Sequence, residues 1–195
     1  MKIAIIDVQL GNLHSLGRCI QDAGFQPEFH TAPPNRCPKK IILPGVSSFD
    51  AFMTRIQQSG WESWLHTNID RLNALLGICV GMQVLFENSE EGGKDGLGFI
   101  QGAAKLASRL QRLPNMGWRS LQSPSPLTQN CNLDRGFYFL HSYECNVNDR
   151  DAEVSYSHDI VATVKKNNVF GVQFHPEKSY QNGVQLIKNF AEGTK

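Results

Sequence analysis

No stretch of this chain is long and apolar enough to cross a membrane, which takes roughly 20 apolar residues. The apolar start, Met1 to Ile6, is interrupted by Asp7 and is too short for a secretory leader. The expectation is a cytoplasmic protein with no membrane contact. Basic and acidic runs are also missing. No lysine or arginine run exceeds two residues, and the formal net charge is +1, so nothing electrostatic favours nucleic acid. The cysteines Cys19, Cys37, Cys79, Cys131 and Cys145 are odd in number and scattered, which argues against a disulfide framework. No C-x2-C pair occurs, which argues against zinc, and reduced thiols fit the cytoplasm. No metal and no cofactor is expected. Internal repeats and low-complexity tracts are absent, and Ser123-Pro-Ser-Pro126 reads as a surface loop rather than a linker. With 195 residues and 41% hydrophobic content, the chain is expected to form one domain over residues 1–195 with a substantial core.

What is present begins with alternation. Lys2 to Asp7 reads as a buried strand. Asn12 to Ala23 reads as a helix, with Asn12 as N-cap, Leu13, Leu16 and Ile20 as its apolar stripe and Gly24 as its stop. Pro27 to Thr31 and Lys40 to Leu43 read as strands, the second ended by Pro44-Gly45. Helix follows over Phe49 to Ile69, broken at Gly60. Ala74 to Ile78 is a further strand and Val80 to Glu87 a helix. This βαβ order predicts an α/β fold, a mostly parallel sheet flanked by helices. The second half changes character. Leu97–Ala107, Trp118–Leu121, Gly136–Cys145, Glu153–Ser157, Val161–Lys165 and Val169–Phe174 read as short strands, an antiparallel extension of the first sheet. Gln181 to Glu192 closes the chain as a helix with Val184, Ile187 and Phe190 inward.

Chemistry concentrates in Asn73-Ala-Leu-Leu-Gly-Ile-Cys-Val-Gly-Met-Gln-Val-Leu-Phe86. A strand ends, Cys79 stands on a turn between Gly77 and Gly81, and a helix begins: the layout of a nucleophile elbow with cysteine in place of serine. A helix N-terminus favours the thiolate, and the Val80 amide is placed to serve an oxyanion. Val169-Phe-Gly-Val-Gln-Phe-His-Pro-Glu177 supplies a base, His175, and an orienting acid, Glu177. In an extended segment kept so by Pro176, positions i and i+2 face the same side. Leu43-Pro-Gly-Val-Ser-Ser-Phe49 puts Gly45 at a strand end, where a backbone N–H can approach a ligand. Each piece alone has a plainer alternative: Cys79 as a small buried hydrophobe, His175 as a surface histidine, Pro44-Gly45 as an ordinary turn. Gly92-Gly-Lys-Asp-Gly96 lacks phosphate-loop spacing and reads as a flexible turn.

These segments resemble the class I, triad-type glutamine amidotransferases, whose domain has a flavodoxin-like fold. Within that class the chain is similar to the glutaminase subunits of imidazole glycerol phosphate synthase. Gly11-Asn-Leu-His-Ser15, Leu43-Pro-Gly-Val46, Gly77-Ile-Cys-Val-Gly-Met-Gln83, Ser89-Glu-Glu91, Met116-Gly-Trp118, Phe137-Tyr-Phe-Leu-His-Ser-Tyr143 and Gly171-Val-Gln-Phe-His-Pro-Glu-Lys-Ser179 carry the likeness. The resemblance implies hydrolysis of glutamine to glutamate and ammonia through a Cys79 thioester, with His175 as base and acid, Glu177 as its orienter, and Gly45 and Val80 serving the oxyanion. It implies glutamine contacts at Gln83, Glu91, Ser142 and Tyr143. It also implies a heterodimer in which Asn115, Met116, Trp118, Arg119 and Lys178 face a (β/α)8-barrel synthase subunit that receives the ammonia in histidine biosynthesis.

The chain departs from the family pattern at several points. Asn115 stands where histidine is usual and Arg119 where asparagine is usual. Val8 replaces a tyrosine, and Ser47 replaces the second glycine of the oxyanion loop. The partner therefore stays open at this level. Related subunits supply ammonia to sugar-modifying amidotransferases of surface polysaccharide synthesis. An inert interaction subunit and a stand-alone cysteine hydrolase are the readings from other classes.

Overall fold

The structure, a computed structural model, describes residues 1–11 and 13–193. The expected N-cap, Asn12, lies outside the described residues. In chain order the elements are β1 (Lys2–Ile6), α1 (His14–Asp22), β2 (Gln26–His30), β3 (Lys40–Gly45), α2 (Phe49–Gln58), α3 (Trp61–Asn68), β4 (Ala74–Cys79), α4 (Val80–Gln83), β5 (Asn88–Ser89), β6 (Gly102–Leu106), β7 (Asn115–Arg119), β8 (Phe137–His141), β9 (Tyr143–Val147), β10 (Glu153–Ser157), β11 (Ile160–Lys166), β12 (Val169–Val172) and α5 (Tyr180–Gly193).

Seven strands form the main sheet in the order β10-β11-β12-β4-β3-β1-β2. From β12 to β2 every pairing is parallel. β10 and β11 continue it antiparallel. This is the doubly wound arrangement expected from the alternation. Strands buried on both faces are continuously apolar: all six residues of β4 are buried, as are the first four of β3. Pro27 sits in the edge strand β2, where its missing N–H interrupts no ladder on the open side. α1 packs against α5 and α2 against α3. Right-handed crossovers put these two pairs on opposite faces of the sheet. Gly60, in the left-handed conformation, breaks α2 from α3, as its position in the sequence suggests. Fully buried aromatics, among them Trp61, Phe49, Phe52, Phe137, Phe174 and Phe190, fill the core at about 1.5–3 kcal/mol for a side chain of this size. Among the described residues no helix is long and apolar enough to cross a membrane.

Three expectations are corrected. The helix expected over Val80 to Glu87 is a single turn, α4. Its following carbonyls are taken by an incoming loop: Leu97 N–H donates to Val84 O, Ile100 to Leu85 O and Gly98 to Phe86 O. Those donors are then unavailable to a ladder, so the strand expected from Leu97 begins only at Gly102. The strand expected over Gly136 to Cys145 is two strands, β8 and β9, broken at Ser142. They pair in separate small sheets, β7-β8 and β5-β6-β9. The antiparallel half thus extends the main sheet at one edge and adds two small sheets beyond the carboxyl ends of its strands.

Candidate active site

The elbow is made by glycine contact. β3 and β4 run in register so that Gly45 lies beside Cys79. A side chain on Gly81 would strike the Leu43 carbonyl, and one on Gly77 would strike the Gly81 backbone. Only hydrogen at these positions lets the chain leave β4, turn and start α4 against β3. Cys79 takes up the turn with φ 55° and ψ −114°, a conformation that L-residues avoid and that holds a side chain out at the top of a sheet. Ser47, the departure in the oxyanion loop, is not among the described non-glycine residues with positive φ, so serine costs nothing in the conformation seen here.

His175 comes from beyond β12. Its N–H donates to Tyr138 O at 2.8 Å, which fastens the segment to β8. Glu177 does not sit in an extended strand as expected. Pro176–Lys178 form one 3-10 turn, and proline suits its first position because no donor is lost there. The Ser179 hydroxyl closes that turn by donating to His175 O at 2.6 Å and accepting from Tyr138 N–H at 3.0 Å. The turn swings the carboxylate back onto the ring: His175 Nδ1 and Glu177 Oε1 are 2.8 Å apart. His175 is 2% exposed. Burial alone would lower its pKa, but hydrogen bonds and charge from Cys79 and Glu177 outweigh it, and the value rises to about 10. Both partners therefore favour a proton on the ring.

Cys79, 4% exposed, has two polar neighbours besides the imidazole. Its sulfur is 3.7 Å from Leu140 O, which a thiol can donate to. The Gln173 side-chain amide donates to it at 3.8 Å. The sulfur and the ring open into a cavity of about 370 Å³, lined also by Val80, Gln83, Glu91, Ser142, Tyr143 and Lys178. The residues expected at the nucleophile, the base, one oxyanion donor and the substrate contacts therefore share one cavity. Gln83 Nε2 donates to Tyr143 O at 2.9 Å and Gln173 Oε1 at 3.2 Å. Glu91 accepts the Phe49 N–H at 2.7 Å, so the carboxylate also caps the start of α2.

The residues expected at a partner surface divide. Met116 and Trp118 are exposed, and Trp118 stacks on Tyr180, itself 68% exposed. Lys178 lies over the Tyr138 ring at 5.5 Å, and Arg119 donates to Trp118 O. Asn115 points the other way. It is buried, with Nδ2 2.9 Å from His141 Nε2. His141 and Gln173 are two residues at the site beyond those expected from the sequence. For Gln173 a signal existed: it lies two residues before His175, the spacing that shares a face in extended chain. His141 carried none beyond its place in a resembling segment.

A cysteine on a strained elbow, a buried histidine, its carboxylate and a cavity at the carboxyl ends of parallel strands form an arrangement that suits a nucleophile, a base and an orienting acid. The family model for glutamine amidotransferase class-I matches residues 4–193, and the chain belongs to that family. Within it, the chain is 40% identical to an imidazole glycerol phosphate synthase subunit HisH of Leptospira interrogans, over 97% of this chain and 98% of that one. It is 38% identical to subunit HisH 1 of Campylobacter jejuni, over 97% and 98%. A solved glutamine amidotransferase shares the fold with a TM-score of 0.78 at 17% identity, covering 97% of both chains. So does a PurLQS structure from Thermotoga maritima, with a TM-score of 0.76 at 18% identity, covering 100% of this chain and 99% of that one.

Proposed function

We propose that this chain is the glutaminase subunit of an imidazole glycerol phosphate synthase. It hydrolyses glutamine and passes ammonia to a synthase subunit in histidine biosynthesis. The observation that carries the chemistry is the cavity lined by Cys79 and His175, with Glu177 Oε1 2.8 Å behind His175 Nδ1, and full-length likeness to HisH subunits supports the pathway.

The proposed reaction uses these groups in turn. Cys79 gives its proton to His175, and the thiolate attacks the side-chain carbonyl carbon of glutamine. The tetrahedral oxyanion is taken by the Val80 and Gly45 amides. His175, kept charged by Glu177 and the sulfur, returns the proton to the leaving nitrogen. Ammonia departs and a thioester remains on Cys79. Water, deprotonated by His175, then attacks the thioester carbon, and glutamate leaves with the thiolate restored. Glu91 is the carboxylate for the substrate's α-ammonium group. Both N–H groups of Gln83 are spent within the protein, so its carbonyl end serves the ligand. Ser142 and Tyr143 form the opposite wall.

The partner is a (β/α)8 barrel seated on the face that carries Met116, Trp118, Arg119 and Lys178, and the complex is cytoplasmic. The test is Cys79→Ala in the purified complex. Glutamine-dependent synthesis is lost and ammonia-dependent synthesis persists. Glutamine use by this variant would refute the nucleophile. Normal glutamine use only with a sugar-modifying partner would refute the pathway and leave the glutaminase.

A further inference from the structure

We infer that Gln173 is the third group acting on the Cys79 sulfur: its side-chain amide is held with N–H toward the sulfur and stabilises the thiolate. The inference rests on Cys79 being the nucleophile and deepens that reading.

The sense of an amide is fixed by its partners, because the oxygen only accepts and the nitrogen only donates. One backbone carbonyl settles it here. Tyr143 O can only accept, so the Gln83 atom 2.9 Å from it is the nitrogen. The same nitrogen lies 3.2 Å from the Gln173 amide, so the Gln173 atom facing it is the oxygen. The remaining end of Gln173, its N–H2, is then the end 3.8 Å from Cys79 Sγ. Gln173 is fully buried, so water does not compete for the amide. The same carbonyl orders the other branch. His141 Nδ1 is 2.8 Å from Tyr143 O and must carry the proton. Its Nε2 is left as the acceptor for Asn115 Nδ2 at 2.9 Å. Asn115, standing where the family pattern has histidine, supplies the donor which that tautomer needs.

The consequence is an opposition at the sulfur. Leu140 O, 3.7 Å away, favours the thiol because a carbonyl stabilises a donor and repels an anion. Gln173 favours the thiolate, as does the imidazolium of His175. A hydrogen bond to the charged form shifts the balance toward it, and such bonds are about twice as strong as neutral ones.

The experiment is alkylation of the purified full-length chain with iodoacetamide, followed at the Cys79 peptide by mass spectrometry from pH 6 to 9. Gln173→Met keeps the volume and removes the donor. Its Cys79 rate at pH 7 falls about tenfold, the effect of one charge-assisted hydrogen bond, and approaches the wild-type rate at pH 9. A loss of access or packing would slow both ends alike, so the same fall at every pH, or no change at all, overturns the inference while leaving Cys79 as nucleophile. Where Gln173→Met does not unfold cooperatively, Gln83→Met is read instead. It frees the Gln173 amide to turn, and a wild-type pH profile in that variant also overturns the inference. Wild-type Cys79 reacting no faster at pH 7 than the partly exposed Cys37 overturns the nucleophile reading and this one with it.

Discussion

Acid should destabilise this protein through His141, and replacing that histidine should remove the effect. The ring is 6% exposed. Burial lowers its pKa. The hydrogen bond to the Tyr143 carbonyl pulls the other way, and the charges of His175 and Arg119 lower it further, so the 6.5 of an ordinary histidine becomes about 4. A depressed histidine leaves stability intact above pH 6.5 and loses it as pH falls toward 4, because only the unfolded chain takes the proton. Between pH 7 and pH 5 that linkage removes about 2 kcal/mol. His175 works in the opposite direction: its contribution is complete below pH 6.5 and is lost as pH rises through about 10. It is common to wild type and variant, so the comparison must be made between the two proteins. His141→Gln keeps an acceptor for Asn115 and loses the donor to Tyr143 O, which Gln83 still satisfies. The variant is then less stable by about 1 kcal/mol at pH 7 and more stable by a similar amount at pH 5. Urea unfolding at both values measures the crossing. Two curves that stay parallel from pH 7 to 5 would refute the neutral, buried state of His141.

Other perturbations probe separate parts of the site. Gly81→Ala drives a methyl into the Leu43 carbonyl and costs about 2–3 kcal/mol. Thermal unfolding registers this as a fall of roughly 5–10 °C, and glutaminase activity is lost even where the chain folds. Glu177→Gln keeps the shape but not the charge that holds the imidazolium. It lowers kcat by at least about a hundredfold with little change in KM, and a wild-type kcat would remove Glu177 from the mechanism. Lys178→Ala removes a cation from the Tyr138 ring at a cost under about 1 kcal/mol. It weakens assembly with the synthase far more than folding, as titration calorimetry against unfolding curves will show.

The sequence made some things legible because they are local. A continuous apolar run marks a strand buried on both faces, and β4 follows that rule. Glycines two residues to either side of Cys79 announce a sharp turn, since a methyl at either place would meet backbone. Other features depend on chain far away. Nothing between Val80 and Glu87 says that the helix will stop at Gln83; the loop 97–100 takes the carbonyls that would have continued it. Phe137 to Val147 alternates well enough for one long strand, yet Ser142 divides it between two sheets. Asn115 reads as a surface residue by its place beside Met116 and Trp118, but strand alternation turns it inward to His141.

By itself, then, the sequence singled out the groups proposed to do the chemistry: a thiol on a glycine-flanked elbow, a histidine, and an acid two residues on. That information is carried by residue type and spacing, which covalent geometry transmits directly. Only the tertiary structure decided how those groups are tuned. Seventy-nine and 175 are brought together because β4 and β12 are neighbours in the sheet. A 3-10 turn, rather than an extended strand, aims Glu177 at the ring. The Tyr143 carbonyl, arriving from another sheet, sets the sense of Gln83, Gln173 and His141. Hydrogen-bond direction and burial are properties of what surrounds a side chain, and those surroundings exist only once distant segments have packed.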